Sequence, residues 1–347
     1  MARKKLKIST SQPGLFDLFA NEDAIPEKAA KGIHDYALNA AKASMVKAEN
    51  SSDPINPINP ESLIKADTIR FISFGSGSSG NCAYIGDNSS GILIDAGVDT
   101  KQVLDNLAAN GLSIKNITGI ILTHDHSDHV RYVYQLIRKH THIGVYCTPK
   151  TLNGMLRRHS ISRRLKDYHK PIYKEFPFKI GKFEITAFDV SHDGTDNCGY
   201  FISHGKHRFA VATDLGYISD RVDFYMRQAQ YIMLESNYDQ YMLDHGPYPL
   251  HLRARIVAER GHLDNSVAAK FIKEIYTPQL RYLFLCHLSH DNNTPEIALQ
   301  CMRTALLDAG APRVGNGSDP RLSTDGGIEL VALPRFEPSP LFTFRID

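Results

Sequence analysis

Gly119-Ile120-Ile121-Leu122-Thr123-His124-Asp125-His126-Ser127-Asp128-His129 is an apolar run that ends in three histidines and two aspartates within six residues. Gly119–Leu122 reads as a buried strand. The segment Val130 to His140 then sets Val130, Val133, Tyr134 and Ile137 at helical spacing. The polar cluster therefore falls between the carboxyl end of a strand and the amino end of a helix, where α/β folds seat ligands. His124 and His126 are two apart, so an extended loop can turn both rings to one side. Asp128 and His129 face a neighbouring position. Imidazole and carboxylate are ligands for zinc and similar divalent ions, and two adjacent clusters imply two ions. The competing reading is a polar loop in which Ser127 or Asp128 caps the next helix. It leaves many crowded lone pairs and charges without a counter-charge.

Composition narrows the remainder. The 347 residues are 42% hydrophobic, enough for one large core or two smaller ones. A net charge of +2 excludes a global basic field, so any nucleic-acid contact has to come from local patches. The five cysteines are odd in number and scattered without a Cys-x-x-Cys, which points to reduced thiols in a cytoplasm. No apolar run is long enough to span a membrane, and no apolar stretch follows the basic start, so neither a membrane partner nor a secretory signal is expected.

Residues 1–66 read as an N-terminal extension, partly helical or disordered, that closes on a Pro- and Asn-rich linker at 51–60. Residues 67–310 read as the catalytic domain. Residues 311–347 read as a Gly- and Pro-rich tail with a possible edge strand at Ile328–Leu333 and no assigned function. A strand at Ile69–Phe74 leads into the Gly/Ser loop Gly75–Gly80, whose glycines allow close backbone approach and whose serines offer donors. Arg157 to Lys166 is the densest basic segment, either a solvated helix face or a nucleic-acid arm presenting Arg157, Arg158, Arg163 and Arg164. Further polar residues end apolar runs at His192, Asp214, Glu235 and His287.

Taken in order, these motifs resemble the metallo-β-lactamase superfamily. The Gly/Ser loop Phe74–Cys82, the element Gly261-His262-Leu263-Asp264-Asn265 and the element His287-Leu288-Ser289-His290-Asp291-Asn292-Asn293 together resemble its YycJ/WalJ exonuclease branch. The likeness covers roughly 68–310. It implies an α/β fold, the αββα sandwich of two mixed β-sheets flanked by helices. It implies that His124, His126 and His192 hold one metal, that Asp128, His129 and His287 hold another, and that Asp214 bridges where true β-lactamases carry cysteine. Asp95 would support the metal loop or simply cap a turn. Asp128 would also orient the attacking water. Glu235 and His262 would act as the pair that, in ribonuclease Z relatives, protonates the leaving group. Ser76, Ser78, Ser289, His290, Asn292 and Asn293 would touch substrate phosphate.

Zinc is the default occupant of so His-rich a site, with manganese an alternative suited to a nuclease. The implied function is a dinuclear metal-dependent hydrolase of nucleic-acid phosphodiesters, a 5′-to-3′ exonuclease with DNA ahead of RNA as its partner. Two readings compete: a glyoxalase II-like hydrolase of small esters, thioesters or lactones, which shares the metal cage, and a ribonuclease. A scaffold protein with a vestigial site is opposed by the complete ligand set. The stretch from Asp214 to His287 is too short for the large domain that ribonuclease J relatives insert late in the chain.

Overall fold

The computed structural model describes residues 67–317 and 327–346. The expected extension and linker at 1–66 lie outside the described residues. One sheet takes β1 (Asp67–Gly75), β2 (Cys82–Gly86), β3 (Gly91–Ile94), β4 (Ile117–Ile121), β5 (Gly144–Cys147) and β6 (His169–Pro171). The other takes β7 (Phe178–Ile180), β8 (Phe183–Asp189), β9 (Cys198–His204), β10 (His207–Ala212), β11 (Tyr231–Glu235), β12 (Tyr282–Cys286), β13 (Val314–Gly315) and β14 (Ile328–Ala332). The last strand, β15 (Phe342–Ile346), returns to the first sheet and pairs antiparallel with β1. Both sheets are mixed. β1 to β3 are antiparallel and β3 to β6 parallel; β7 to β10 are antiparallel, and β10, β11, β12 and β14 run parallel.

Strand composition explains the layering. A strand buried on both faces reads as a continuous apolar run, with successive side chains entering different layers. On β12, Tyr282, Phe284 and Cys286 enter the core between the sheets, while Leu283 and Leu285 enter the core under the helices. On β3, Ile92 and Ile94 face the central core and Leu93 faces the opposite one. The central layer is aromatic: Phe71 meets Phe284 at 4.7 Å, and Tyr231 meets Phe344 at 4.2 Å. Helices α1 (Thr100–Ala109), α2 (Ser127–Val130), α3 (Val133–Ile137) and α4 (Pro149–Arg158) bury apolar residues against the first sheet. Helices α5 (Asp220–Met226), α8 (Asn265–Ile275) and α9 (Pro295–Asp308) do so against the second; α6 (Gln240–His245) and α7 (Leu250–Ile256) pack in a small satellite cluster with Tyr238. The result is the expected αββα sandwich.

Two details differ from the sequence expectation. The strand at Ile328–Ala332 is not at the sheet edge, because β13 pairs outside it; the first sheet is instead edged by β15, which periodicity had not marked. The helix expected over 130–140 is confined to α3 and is separated from the short turn α2 that precedes it. The break has a visible cause. The carbonyl of Asp128 accepts the Asn81 amide at 2.8 Å, and the amide of Tyr132 donates to the Ala96 carbonyl at 2.9 Å. Both groups of the would-be 128–132 helical bond are diverted to the loops on either side.

Candidate active site

Polar side chains collect at the carboxyl ends of adjacent strands. Asp95 follows β3, Thr123 to His129 follow β4, His192 follows β8 and Asp214 follows β10; Glu235 ends β11 and His287 follows β12. Two non-glycine residues here have left-handed backbone, Asp95 with φ of 61° and His287 with φ of 54°. That conformation costs an L-residue about 1–2 kcal/mol, and surrounding contacts must hold it. At Asp95 the contacts are plain. Its carboxylate accepts the Thr123 amide and hydroxyl, both at 2.8 Å, and lies 2.7 Å from His129 Nδ1. Asp95 thus braces the loop 123–129 rather than capping a turn. At His287 the amide donates to Ser76 Oγ at 2.9 Å, and the carbonyl accepts the Asn237 amide at 2.7 Å.

The loop 124–129 is packed backbone to backbone. A Cβ on Gly97 would fall 1.5 Å from the Asp128 carbonyl oxygen, so no other residue fits there without displacing the loop. Neither Ser127 nor Asp128 caps α2; the N-cap is His126, without a side-chain cap bond. Asp125 points away from the cluster. Its carboxylate accepts the Thr195 amide at 2.8 Å and the Thr195 hydroxyl at 2.6 Å.

Among the described residues, potential donor atoms form four overlapping groups, each within 4.8 Å: His124, His126 and His192; Asp128, His129 and His287; His124, His129 and Asp214; and Asp214, Glu235, His262 and His287. Asp214 joins the first two, with Oδ1 3.8 Å from His192 Nε2 and Oδ2 3.2 Å from His129 Nε2. His124 Nε2, His287 Nε2, Asp128 Oδ1 and Asp214 Oδ2 are buried and make no hydrogen bond. Each such atom costs about 1–3 kcal/mol if left unsatisfied, so four aimed at one place mark a site built for cations. The mixed imidazole and carboxylate set fits two divalent metals.

Electrostatics agree with that fit. Burial holds the His124 imidazole well below its ordinary value, aided by the His129 and His126 rings. Burial likewise brings His192 down to about 4, against the pull of Asp214. Both are thus neutral, as a ligand must be. His129 and His287 behave oppositely. Burial disfavours their charge, but Asp214, Asp95 and Asp128 outweigh it at His129, and Asp214, Asp128 and Glu235 push His287 up to about 10. A cation entering beside them would displace these protons.

Glu235 is fully buried and serves two rings. Its Oε1 lies 2.7 Å from His262 Nδ1 and 2.9 Å from His287 Nδ1, while Oε2 accepts the Leu215 and Leu263 amides. Burial raises its carboxyl, but His262 and His287 outweigh it and hold it below the ordinary range. The His262 ring stands 5.1 Å from that of His192 and 5.3 Å from that of His287, and with 23% of its side chain exposed it is the solvent-facing rim of the group it forms with Asp214, Glu235 and His287.

The expected substrate contacts divide. Ser78 and His290 are exposed. Ser76 is buried and braces His287. Ser289 accepts the Asn292 amide. Asn292 is wholly buried, and Asn293 is spent inside the fold: its amide donates to the Ser236 and Asn237 carbonyls and to Asn265 Oδ1. Ser76, Ser289 and Asn293 thus brace the donor loops, as buried polar groups that have found partners do, while Asn292 Oδ1 is buried without one. Of the arginines, Arg158 pairs with Asp125 at 3.5 Å and Arg164 with Asp167 at 3.9 Å.

Three supports escaped the sequence reading. Asn81 donates to Asp128 Oδ2 at 3.1 Å and lies 2.9 Å from His129 Nε2. Asp193 Oδ1 lies 3.1 Å from His126 Nε2, while its other oxygen accepts Arg255 Nη2 at 2.6 Å. Arg335 donates to the Leu288 and Ser289 carbonyls, tying the C-terminal residues to the last donor loop. The Asn81 neighbourhood had a signal, the Gly/Ser loop; the other two are long-range pairings that no local pattern announces.

A family model described as a β-lactamase superfamily domain matches residues 91–287. The chain is 33% identical over 248 residues to exodeoxyribonuclease YycJ of Bacillus anthracis, covering 70% of this chain and 90% of that one. It is 31% identical over 241 residues to exodeoxyribonuclease WalJ of Streptococcus pneumoniae, covering 69% and 89%. The solved metallo-β-lactamase fold protein YhfI from Bacillus subtilis superposes with a TM-score of 0.56 at 17% identity, covering 81% of this chain and 100% of that one, a likeness of fold.

Proposed function

This chain belongs to the β-lactamase superfamily, beside the YycJ and WalJ exonucleases, and is a metal-dependent hydrolase; we propose that its substrate is DNA, degraded from the 5′ end. The observation that carries this reading is His262, held by Glu235 at 2.7 Å on the rim of the donor groups. A nucleoside 3′-oxygen leaves poorly unless it is protonated, whereas a thiolate leaves unaided. A positioned imidazole acid is therefore what a phosphodiesterase needs and a thioesterase does not. The names of the two relatives support the same substrate class.

In the proposed site His124, His126 and His192 would hold one divalent cation and Asp128, His129 and His287 the other, with Asp214 within reach of both groups. When bound, such a pair supplies positive charge against the phosphoryl oxygens and acidifies the attacking water. Asp128 orients that water through the carboxylate oxygen that the protein leaves without a hydrogen bond. His262 keeps Nδ1 on Glu235 and delivers the Nε2 proton to the departing 3′ oxygen. Ser78 and His290 remain as surface contacts for substrate. Zinc suits the imidazole-rich set, and manganese suits the carboxylate-bearing one. The catalytic unit is proposed to run from residue 67 through the C-terminal strand, because β13, β14 and β15 complete its sheets. A cytoplasmic location is proposed from the unpaired state of all five cysteines; among the described residues no helix is long and apolar enough to cross a membrane.

The test offers purified protein with Mn²⁺ or Zn²⁺ a set of end-labelled substrates, single- and double-stranded DNA and RNA, together with a thioester. The Asp128→Ala variant runs alongside. Mononucleotide release from the DNA 5′ end, absent in the variant, is the expected result. Thioester turnover without nucleotide release would overturn the reading.

A further inference from the structure

The basic segment 157–166 divides in the structure. Arg158 and Arg164 have carboxylate partners, Asp125 and Asp167. Arg157, Arg163 and Lys166 have neither an ion pair nor a hydrogen bond to their head groups among the described residues, and together with Asn153 and Leu156 they line one cavity of about 320 Å³. Arg157 lies in the last turn of α4. Arg163 opens a short 3-10 helix, Arg163–Tyr168, and Lys166 stands three residues on. In that geometry residues three apart eclipse, which sets both cations on one side. Arg157, Arg163 and Lys166 are exposed, and three like charges around one hollow raise the local positive potential and so favour an anion between them.

We propose that Asn153, Arg157, Arg163 and Lys166 form a phosphate subsite that grips the backbone of a nucleic-acid strand whose end lies in the donor cluster. The inference rests on the nuclease reading above and deepens it. Two guanidinium forks and an ammonium match non-bridging phosphate oxygens, the Asn153 amide adds a neutral donor, and Leu156 supplies an apolar floor for a sugar. Placement links the subsite to the chemistry. The residues that follow Arg157 touch the metal loop itself: His159 Nε2 lies 2.6 Å from the Asp125 carbonyl oxygen, and Arg158 reaches the Asp125 carboxylate. Such contacts position a strand and raise affinity without reading bases.

The experiment measures binding of a fluorescein-labelled single-stranded DNA oligomer to the full chain without added metal, across a salt series, and 5′ nucleotide release with metal. The variant carries Arg157→Ala, Arg163→Ala and Lys166→Ala. A charge-matched control carries Lys115→Ala, Lys139→Ala and Lys270→Ala. Removing three phosphate contacts should weaken binding at low salt by about 10-fold or more and flatten the log–log salt slope by about 2. KM for DNA should rise, and the control should follow the parent chain. The single Arg163→Glu, on an exposed turn, should repeat the effect if the triple variant folds poorly. Equal losses in variant and control would overturn the subsite in favour of diffuse charge. A parent chain that binds and cleaves DNA while both subsite variants match it would overturn the subsite alone. A parent chain that neither binds nor cleaves nucleic acid would overturn the nuclease reading together with it.

Discussion

Glu235 Oε1 lies 2.9 Å from Nδ1 of His287, so the carboxylate expected to serve His262 also fixes the ring of a candidate metal ligand. The two duties separate by mutation. Glu235→Gln should weaken metal binding by about 10- to 100-fold, as loss of a ligand-orienting partner does. His262→Ala should leave metal content unchanged and lower kcat by about 100-fold or more. Chelator competition and steady-state kinetics on the two variants check this; equal metal loss in both would refute the division.

Asp193 gives the same logic for the other donor group. It spans His126 Nε2 at 3.1 Å and Arg255 Nη2 at 2.6 Å. Asp193→Asn should weaken metal binding by about 10-fold, with Arg255→Ala losing less, because Asp193 keeps its contact to His126. Titration of the apoprotein with zinc in the presence of a chromogenic chelator reads both.

Asp87 offers a pH test remote from the cluster. Burial opposes its charge, but the Ser89 and Ser90 amides, donating at 2.6 and 2.7 Å, outweigh it and hold the carboxyl below its usual range. A depressed folded value means that the unfolded chain takes the proton more readily. The stabilisation is therefore complete above the unfolded value, near pH 4, and is lost as pH falls through the lower folded one. Asp87→Asn should cost about 2 kcal/mol at pH 7, and the deficit should narrow below about pH 4. Urea denaturation across that range measures it.

The part of the site that was legible in the sequence lies where an apolar strand runs straight into its ligands. His124 to His129 and His287 are examples, because strand pattern and donor chemistry sit side by side. Local pattern failed where the partner is far along the chain. Nothing near Arg158 says that it reaches Asp125, and nothing near Asn293 says that its amide holds the Ser236 and Asn237 carbonyls. The broken helix at 127–137 misled for the same reason: its periodicity is intact, but two hydrogen bonds to Asn81 and Ala96 override it. Strand β15 was missed because a short alternating run near the chain end carries little signal.

The cysteines predict a labelling pattern. Cys82, Cys147, Cys198 and Cys286 are buried, and burial pushes their thiols up, that of Cys198 to about 12; Cys301 is half-buried. A thiol reagent should titrate at most one group in the folded protein and five in urea. Rapid labelling of more than one native thiol would contradict this packing.

Phe344 stacks on Tyr231 at 4.2 Å and meets Tyr282 at 4.9 Å, fully buried. Phe344→Ala should destabilise the fold by about 3–5 kcal/mol. Phe336→Ala, at a ring 59% exposed, should change stability by less than about 0.5 kcal/mol. Thermal melts of the two variants compare them.

The pairing of β15 with β1 joins the end of the described chain to its beginning, and Arg335 carries that closure to Leu288 and Ser289. A polypeptide still emerging from the ribosome therefore holds every candidate ligand before it holds the strand that closes their scaffold. The first sheet is completed only by a strand synthesised after His287, so the donor loops gather on a scaffold whose edge is still open.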